Sequence, residues 1–595
     1  MLIFLAPGLK PPQHAVPGTY YVRALEGLIE AAYSKLPEHR ETRASVVTLN
    51  LRSIDLAVRL GEALPEELHE FWQAYGGWFA MYSVGPLLAN QAVAQQALQE
   101  HPAEPIRIIE NWRSAGWWSG RSLLAPAMLD DLQAAGVQTA VQPGPLLQAM
   151  RGPVAHALAS RNGRRLTDQL QPASPPEARE TDVLWLSVGA SSADVIAPVV
   201  EAVRQRGLRS DILDFAYFGS EKALSRQGLQ YTAMASFIDS QAVAAGEQTR
   251  RQLRSWWPQI KQAAERLPLR TELGPRFFCA LVDRLRVVLR RDAPAWAARS
   301  HAAHTALEAY RPKVVVGTHV YGPPIAPMII AAERRGIPRV CLQHGVIGPR
   351  YLALPCLPYD EQLLFGSYPA QILSQTCPPQ TRMTVTGHSL YDKTQAPPEP
   401  RSEVKRLREG VRGLVVLCTQ FNEQSYYRRE GWWLEGVAEA CRALNVRLVL
   451  KLHPSDTAAN LRLYQTLLEP GDDHVILARH GQWPLSELLV AGDLMITRDS
   501  TVVLEANLLS TPVITINLSD CDEELPYAAT GGAMGVYSYA DIRPAIERVL
   551  FDPDVRGQLA RQRDDFLTAQ TGPRDGHATD RIAAAIAAWA APQSS

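Results

Sequence analysis

The chain has 595 residues, nearly balanced charge (60 Lys and Arg against 61 Asp and Glu) and an apolar content of 46%. Such a length exceeds a single hydrophobic core and calls for two to four domains, while the even charge argues against a dedicated nucleic-acid binder, which would be basic. Seven cysteines without a CxxC pair indicate neither a zinc site nor a disulfide framework and suit a reducing cytoplasm.

The amino terminus, MLIFLAPGLK, has an apolar start with no charged leader and is interrupted by Pro7 and Gly8. It reads as a first β-strand and not as a signal peptide. No run of eighteen apolar residues occurs, so no membrane span is predicted. Over a first block, 1–170, strands are predicted at 2–5, 46–49, 106–109 and 137–141 with helical patterns between them, an accessory or acceptor α/β domain. Within it Trp112, Trp117 and Trp118 serve either as packing or as a platform for a sugar ring. A linker rich in Pro and Ser follows at 166–181.

The second block, 182–395, starts afresh. DVLWLSV is a buried strand, GASSAD turns into the amphipathic helix VIAPVVEAVRQRG, and SDILDFAY is the next strand, a βαβ unit. A long helical region at about 221–310 carries the basic run 284–291, read as a solvated face or as a contact for an acidic acceptor or the inner membrane surface. Strands then resume: VVVGTHV ends at His319, RVCLQHG at His344, followed by QLLFGS and MTVTGHS. The segment 387–392, GHSLYD, reads as a hinge into the third block, 405–595. There GLVVLCTQ, RLVLKLHP, HVILAR, DLMIT and PVITI are strands alternating with helices. Blocks two and three are thus predicted to be tandem doubly wound sheets, and ligands bind such sheets beyond the carboxyl ends of the strands.

Those strand ends carry the chemistry. Lys451 and His453 lie two apart on one strand, and Pro454 holds His453 extended. An imidazole there donates to a phosphate oxygen, or else is a structural strand-end histidine. A helix is predicted from Asp499 or Ser500, with Ser500 and Thr501 in its first turn, where free N–H groups favour an anion. Glu505, four residues on, presents a carboxylate to a ribose diol. The plainer reading is that Ser500 and Thr501 cap the helix and Glu505 is solvated. Gln420 ends the first strand of this block and touches the donor or is structural. In the second block His344, followed by Gly345, is a candidate base or orders its own loop. His319 and Gln343 are candidates to contact acceptor or donor sugar.

With these motifs in order, blocks two and three resemble GT-B glycosyltransferases. The specific resemblance is to bacterial capsule and surface-polysaccharide transferases with HP and Ser-Ser/Thr motifs, among them sialyl-, polysialyl- and Kdo transferases. In that family the HP histidine and paired hydroxyls bind the CMP phosphate, which implies His453-Pro454 and Ser500-Thr501 here. The QHG segment is similar to one in teichoic-acid glycerophosphotransferases, where the histidine is the base, which implies His344. The family's acidic motif has no clear counterpart; Asp194 in GASSAD holds the nearest position. The closing DGHATDRIAAAI resembles the last helix of such proteins, which crosses back to the amino-side domain. The implied protein is a GT-B-like α/β enzyme with an extra amino-terminal α/β domain. It would use no cofactor or metal, take a CMP-sugar donor and a glycan or glycoprotein acceptor, bind no nucleic acid, and be cytoplasmic or peripheral at the inner membrane. The alternatives are a CDP-glycerol glycerophosphotransferase or UDP-sugar enzyme on the same scaffold, and a non-catalytic binding subunit of glycan assembly.

Overall fold

The structure is a computed structural model. It describes 46–80, 84–85 and 87–88, and then 176–591 apart from 217–218, 323, 354–355, 394–396, 420–432, 454–455, 457, 470, 480, 499 and 519–524. Before 46 and between 88 and 176 it also describes four strands: β1 (Leu2–Leu5), β2 (Tyr20–Arg23), β3 (Ile106–Glu110) and β4 (Thr139–Pro143), paired in parallel in the order β2-β1-β3-β4. Trp112, Trp117 and Trp118 lie outside the described residues.

The segment 46–49 is not a strand. It opens helix α1 (Val46–Gly61), followed by α2 (His69–Phe79). Four residues, VVTL, look like a strand by themselves. Over sixteen residues the apolar positions recur at helical spacing, and Leu56, Ala57 and Leu60 are buried on one side.

The first large sheet contains β5 (Val183–Ser187), β6 (Ser210–Asp214), β7 (Thr232–Ala233), β8 (Val314–Gly317), β9 (Arg339–Leu342), β10 (Glu361–Leu364) and β11 (Arg382–Val385). Its order is β11-β10-β9-β8-β5-β6-β7, all parallel. Every residue of the central strand β5 is buried, as expected where helices cover both faces. Leu184 and Leu186 point into one core and Val183 and Trp185 into the other, the two-residue alternation of a strand. The Trp185 side packs against α3 (Ala190–Gln205). The Leu184 side packs against α4 (Ser240–Arg266) and the 36-residue α5 (Pro275–Tyr310), and α1 and α2 join this same core.

The basic run 284–291 is a solvated face only in part, since Arg290 is exposed but Arg284 and Arg291 are not. Arg284 is buried within α5, and burial pushes its pKa down to about 10, while Arg291 is ion-paired with Asp292 at 2.6 Å. Among the described residues no helix is long and apolar enough to cross a membrane.

The second large sheet contains β12 (Leu414–Cys418), β13 (Arg447–Lys451), β14 (Val475–Ala478), β15 (Leu494–Thr497), β16 (Val513–Ile516) and β17 (Met534–Val536) in the parallel order β14-β13-β12-β15-β16-β17. Both sheets therefore start at a central strand, run outward to one edge and return to fill the other side. In each, the reversal leaves a crevice at the carboxyl ends of two adjacent strands, β5/β8 in the first and β12/β15 in the second. The two doubly wound sheets expected from the sequence are present.

After the short helix α6 (Val502–Leu508), α7 (Pro553–Thr571) leads out of the second sheet and α8 (Ala578–Ala590) crosses back to the first. Ile582, Ala583 and Ile586 of α8 enter the core that holds Trp185. Asp392 fixes the crossing by accepting from the backbone N–H groups of Ala578 (3.0 Å) and Thr579 (2.6 Å) at the start of α8. The passage is tight. A Cβ on Gly366 would lie 2.1 Å from the Ala569 carbonyl oxygen, and one on Gly572 (φ +66°) would lie 2.2 Å from that of Phe365.

Candidate functional site

The crevice of the second sheet is built on β12. Register places Lys451, Cys418 and Thr497 level on β13, β12 and β15. His453 lies just past the first of these and Ser500 just past the last, so they straddle the end of β12 across two strand spacings, roughly 10 Å.

A network that sequence reading missed shapes the His453 tip. The His453 backbone N–H is shared by Thr419 Oγ1 (2.9 Å) and Asp456 Oδ2 (2.8 Å), and the Thr419 hydroxyl lies 2.7 Å from the same carboxylate oxygen. Asn460 Nδ2 and the Tyr464 hydroxyl donate to Asp456 Oδ1 at 2.7 and 3.1 Å. The signal was present: HPSD offers an aspartate three residues after His453, the spacing of a carboxylate that closes a turn. Burial lowers the His453 pKa, partly offset by Asp456, which favours the neutral imidazole. Asp456→Ala removes the acceptor of these hydrogen bonds. It is expected to cost about 3 kcal/mol of stability, measured by denaturant unfolding.

At the other wall the helix begins later than the sequence suggests. It starts at Val502, with Thr501 at its cap position but making no side-chain capping hydrogen bond, while Ser500 Oγ accepts from the Val502 N–H at 3.3 Å. The short strand end and its Asx/Ser-rich turn blur that boundary in sequence. Glu505 is exposed, yet protein closes around it on several sides, and this partial desolvation raises its carboxyl pKa. Its charge acts on Tyr391 of the segment joining the two sheets and on Cys418 at the end of β12, so it faces the gap between lobes. Pro454 and Gln420 lie outside the described residues. Lys451 ends β13, half-buried, and its backbone carbonyl accepts from Thr419. The turn of Asp472, Asp473 and His474 is occupied by Arg442 (2.6 Å) and Arg447 (3.0 Å).

In the first sheet the strand ends bring His319 and His344 together, their rings stacked with centroids 4.2 Å apart. His344 Nδ1 is hydrogen-bonded to the Thr318 carbonyl. A carbonyl only accepts, so Nδ1 carries the hydrogen, and in the neutral ring the lone pair is then on Nε2. His319 is held neutral, its pKa pushed down to about 3 by burial and by the neighbouring His344. Its Nδ1 contacts Thr318 Oγ1 (3.2 Å), which in turn meets the hydroxyl of Ser192. Ser192 is thus the residue of GASSAD that reaches the histidines. Asp194 is not brought to them: its carboxylate accepts from Gln227 (3.0 Å) and lies 3.8 Å from Arg226. Gln343 is buried and its amide is spent on the backbone, accepting from Phe365 N and donating to the Gly345 carbonyl, both at 2.8 Å. It braces the His344 loop.

These strand ends open into a cavity of about 480 Å³. His319, His344, Gln343 and Ile347 line it from the sheet, Tyr75 and Trp78 from α2, and Arg291 and Arg299 from α5. The neighbouring Val346 packs instead into the core of the second sheet, beside Val404 and Val416. One five-residue loop therefore touches the cavity and the opposite lobe.

No family model and no curated protein matches the chain. Among solved structures, S. aureus MnaA with UDP shares 15% identity over 68% of this chain and 94% of its own, at a TM-score of 0.42. The Neisseria meningitidis UDP-GlcNAc 2-epimerase bound to UDP-GlcNAc shares 14% over 68% and 100%, at 0.41. The calicheamicin glycosyltransferase CalG4 shares 16% over 70% and 100%, at 0.41.

Proposed function

We propose that this chain is a glycosyltransferase that moves a sugar from a nucleotide donor, held at the end of β12, to an acceptor hydroxyl delivered from the first lobe. The observation that carries the reading is the pair of crevices, one offering His453, Ser500, Thr501 and Glu505, the other offering the stacked His319 and His344. In the finer form of the proposal the donor is a CMP-activated acidic sugar, Kdo or a nonulosonic acid, and the acceptor a surface polysaccharide or glycoprotein. The donor choice rests on the His-Pro and Ser-Thr motifs.

The step balances without a further reagent. The acceptor O–H gives its proton to His344 Nε2 as the oxygen attacks the anomeric carbon. The imidazolium that forms is stabilised by the Thr318 carbonyl on Nδ1. The bond from the anomeric carbon to the phosphate oxygen breaks, and the nucleotide leaves with the electron pair. His453 and the Ser500 and Thr501 hydroxyls are placed to hold the charge that develops there. Closure of the lobes excludes water and limits hydrolysis of the donor.

The test is a thermal and calorimetric screen with CMP, CDP-glycerol and UDP. CMP at a hundred times its Kd is expected to stabilise the protein by about 2.7 kcal/mol. His453→Ala is expected to weaken that binding by about tenfold to a hundredfold, the loss of a charge-assisted hydrogen bond. Protection by UDP or CDP-glycerol alone moves the donor assignment elsewhere. Protection by none of the three removes the nucleotide pocket.

A further inference from the structure

The cavity above the stacked histidines has a composition that the proton-transfer step does not require. Its cations come from α5. Arg291 is engaged with Asp292, its Nε and Nη2 each 2.6 Å from a carboxylate oxygen. Arg299 also lines the cavity, half-buried, and among the described residues no hydrogen bond or ion pair holds its guanidinium. Residues 291, 295 and 299 fall on one face of the helix at intervals of four, and the residue between the two arginines is Ala295, which leaves room above it. The paired Arg291 and Asp292 cancel and His319 is neutral, so Arg299 gives the cavity a net positive charge.

Four aromatic rings also line the cavity. Tyr75 and Trp78 come from α2; Tyr75 is fixed against Phe71, with centroids 4.5 Å apart. Tyr321 and Tyr351 come from the loops after β8 and β9 and meet edge to face at 5.4 Å. Rigid rings beside a lone guanidinium form a site for a ring-shaped ligand that bears an anionic group.

We propose that this cavity is an acceptor subsite selective for an anionic sugar, with Arg299 pairing its carboxylate or phosphate and the α2 aromatics stacking the ring. The proposal rests on the transferase reading for the role of the bound sugar, but not for its binding. His344 lines the same cavity, so a sugar bound there shares it with the candidate base. Arg299 is then a specificity-determining residue: it selects which acceptor reaches the base and takes no part in proton transfer.

The probes are 4-nitrophenyl β-glucuronide, the neutral 4-nitrophenyl β-glucoside and glucose 6-phosphate, titrated into the full chain by calorimetry and saturation-transfer NMR. The glucuronide is expected to bind about tenfold tighter than the glucoside, from one charge-assisted bidentate contact. Glucose 6-phosphate separates preference for phosphate from preference for carboxylate. In Arg299→Gln the glucuronide and glucoside should bind within about twofold of each other, while Arg299→Lys keeps part of the preference. On the unaltered protein, raising the salt to 0.5 M should shrink the preference, a readout that needs no variant. Nucleotide binding is measured in parallel. Its absence beside an intact acid preference defeats the transferase reading and leaves this subsite standing. Equal binding of acid and neutral probes by the wild type, no binding of any probe, or an unchanged preference in Arg299→Gln overturns the subsite.

Discussion

On the proposed transferase reading, His344→Ala is expected to slow sugar transfer by about 10²–10⁴-fold, the contribution of a positioned general base, while nucleotide binding at the second lobe stays intact. In barrier terms this is about 3–5 kcal/mol. The reasoning is geometric. Thr318 carbonyl fixes the tautomer and leaves Nε2 as the acceptor, Gln343 holds the loop from both sides, and His319 stacks on the ring as a neutral neighbour. His344→Asn separates proton transfer from loop order, because an amide N–H still serves the Thr318 carbonyl but provides no base. Its kcat should fall as far as that of the alanine variant, with KM for the acceptor unchanged. A variant with near-normal kcat places the base elsewhere.

The second large effect concerns the return crossing. Gly572→Ala is expected to destabilise the protein by about 2–4 kcal/mol, from backbone strain and steric overlap together. Gly572 has φ +66° and ψ −151°, a region nearly restricted to glycine, and the added Cβ would lie 2.2 Å from the Phe365 carbonyl oxygen. The nearest obstacle is Phe365 backbone, which cannot swing aside as a flexible side chain would, and Val385 Cγ1 crowds the same Cβ at 3.1 Å. Gly557, inside α7, is the control, because a Cβ there would meet only the Arg561 guanidinium, at 3.4 Å. Gly557→Ala should stabilise, by up to about 1 kcal/mol of helix propensity. Equal denaturation midpoints for the two variants contradict the close passage.

Much of the scaffold was legible in the sequence because parallel strands covered on both faces are written as unbroken apolar runs. DVLWLSV, GLVVLCTQ and RLVLKLHP carry that signature, and their polar ends mark the crevices. The two- and three-residue strands β7 and β17 carry no periodicity and left no trace. VVTL at 46–49 misled because four residues do not distinguish a two-residue repeat from a helical one. Within the sites, the histidines were legible and their supports were not. Asp456, Thr419 and Ser192 act through contacts that only the folded sheet creates, and a sequence does not show that Gln343 spends its amide on its own loop. Asp194 was chosen for its charge and its loop, but the first turn of α3 aims it at Gln227. Arg284 stood in a basic run, which reads as surface until the packing of a 36-residue helix encloses it.

The chain passes between lobes twice, once after β11 and once between α7 and α8, and the two passages run side by side: a Cβ on Gly387 would sit 2.9 Å from the Pro573 carbonyl oxygen. Crossings set so closely tie the two lobes together at one corner, so a side chain added to either passage presses on the other.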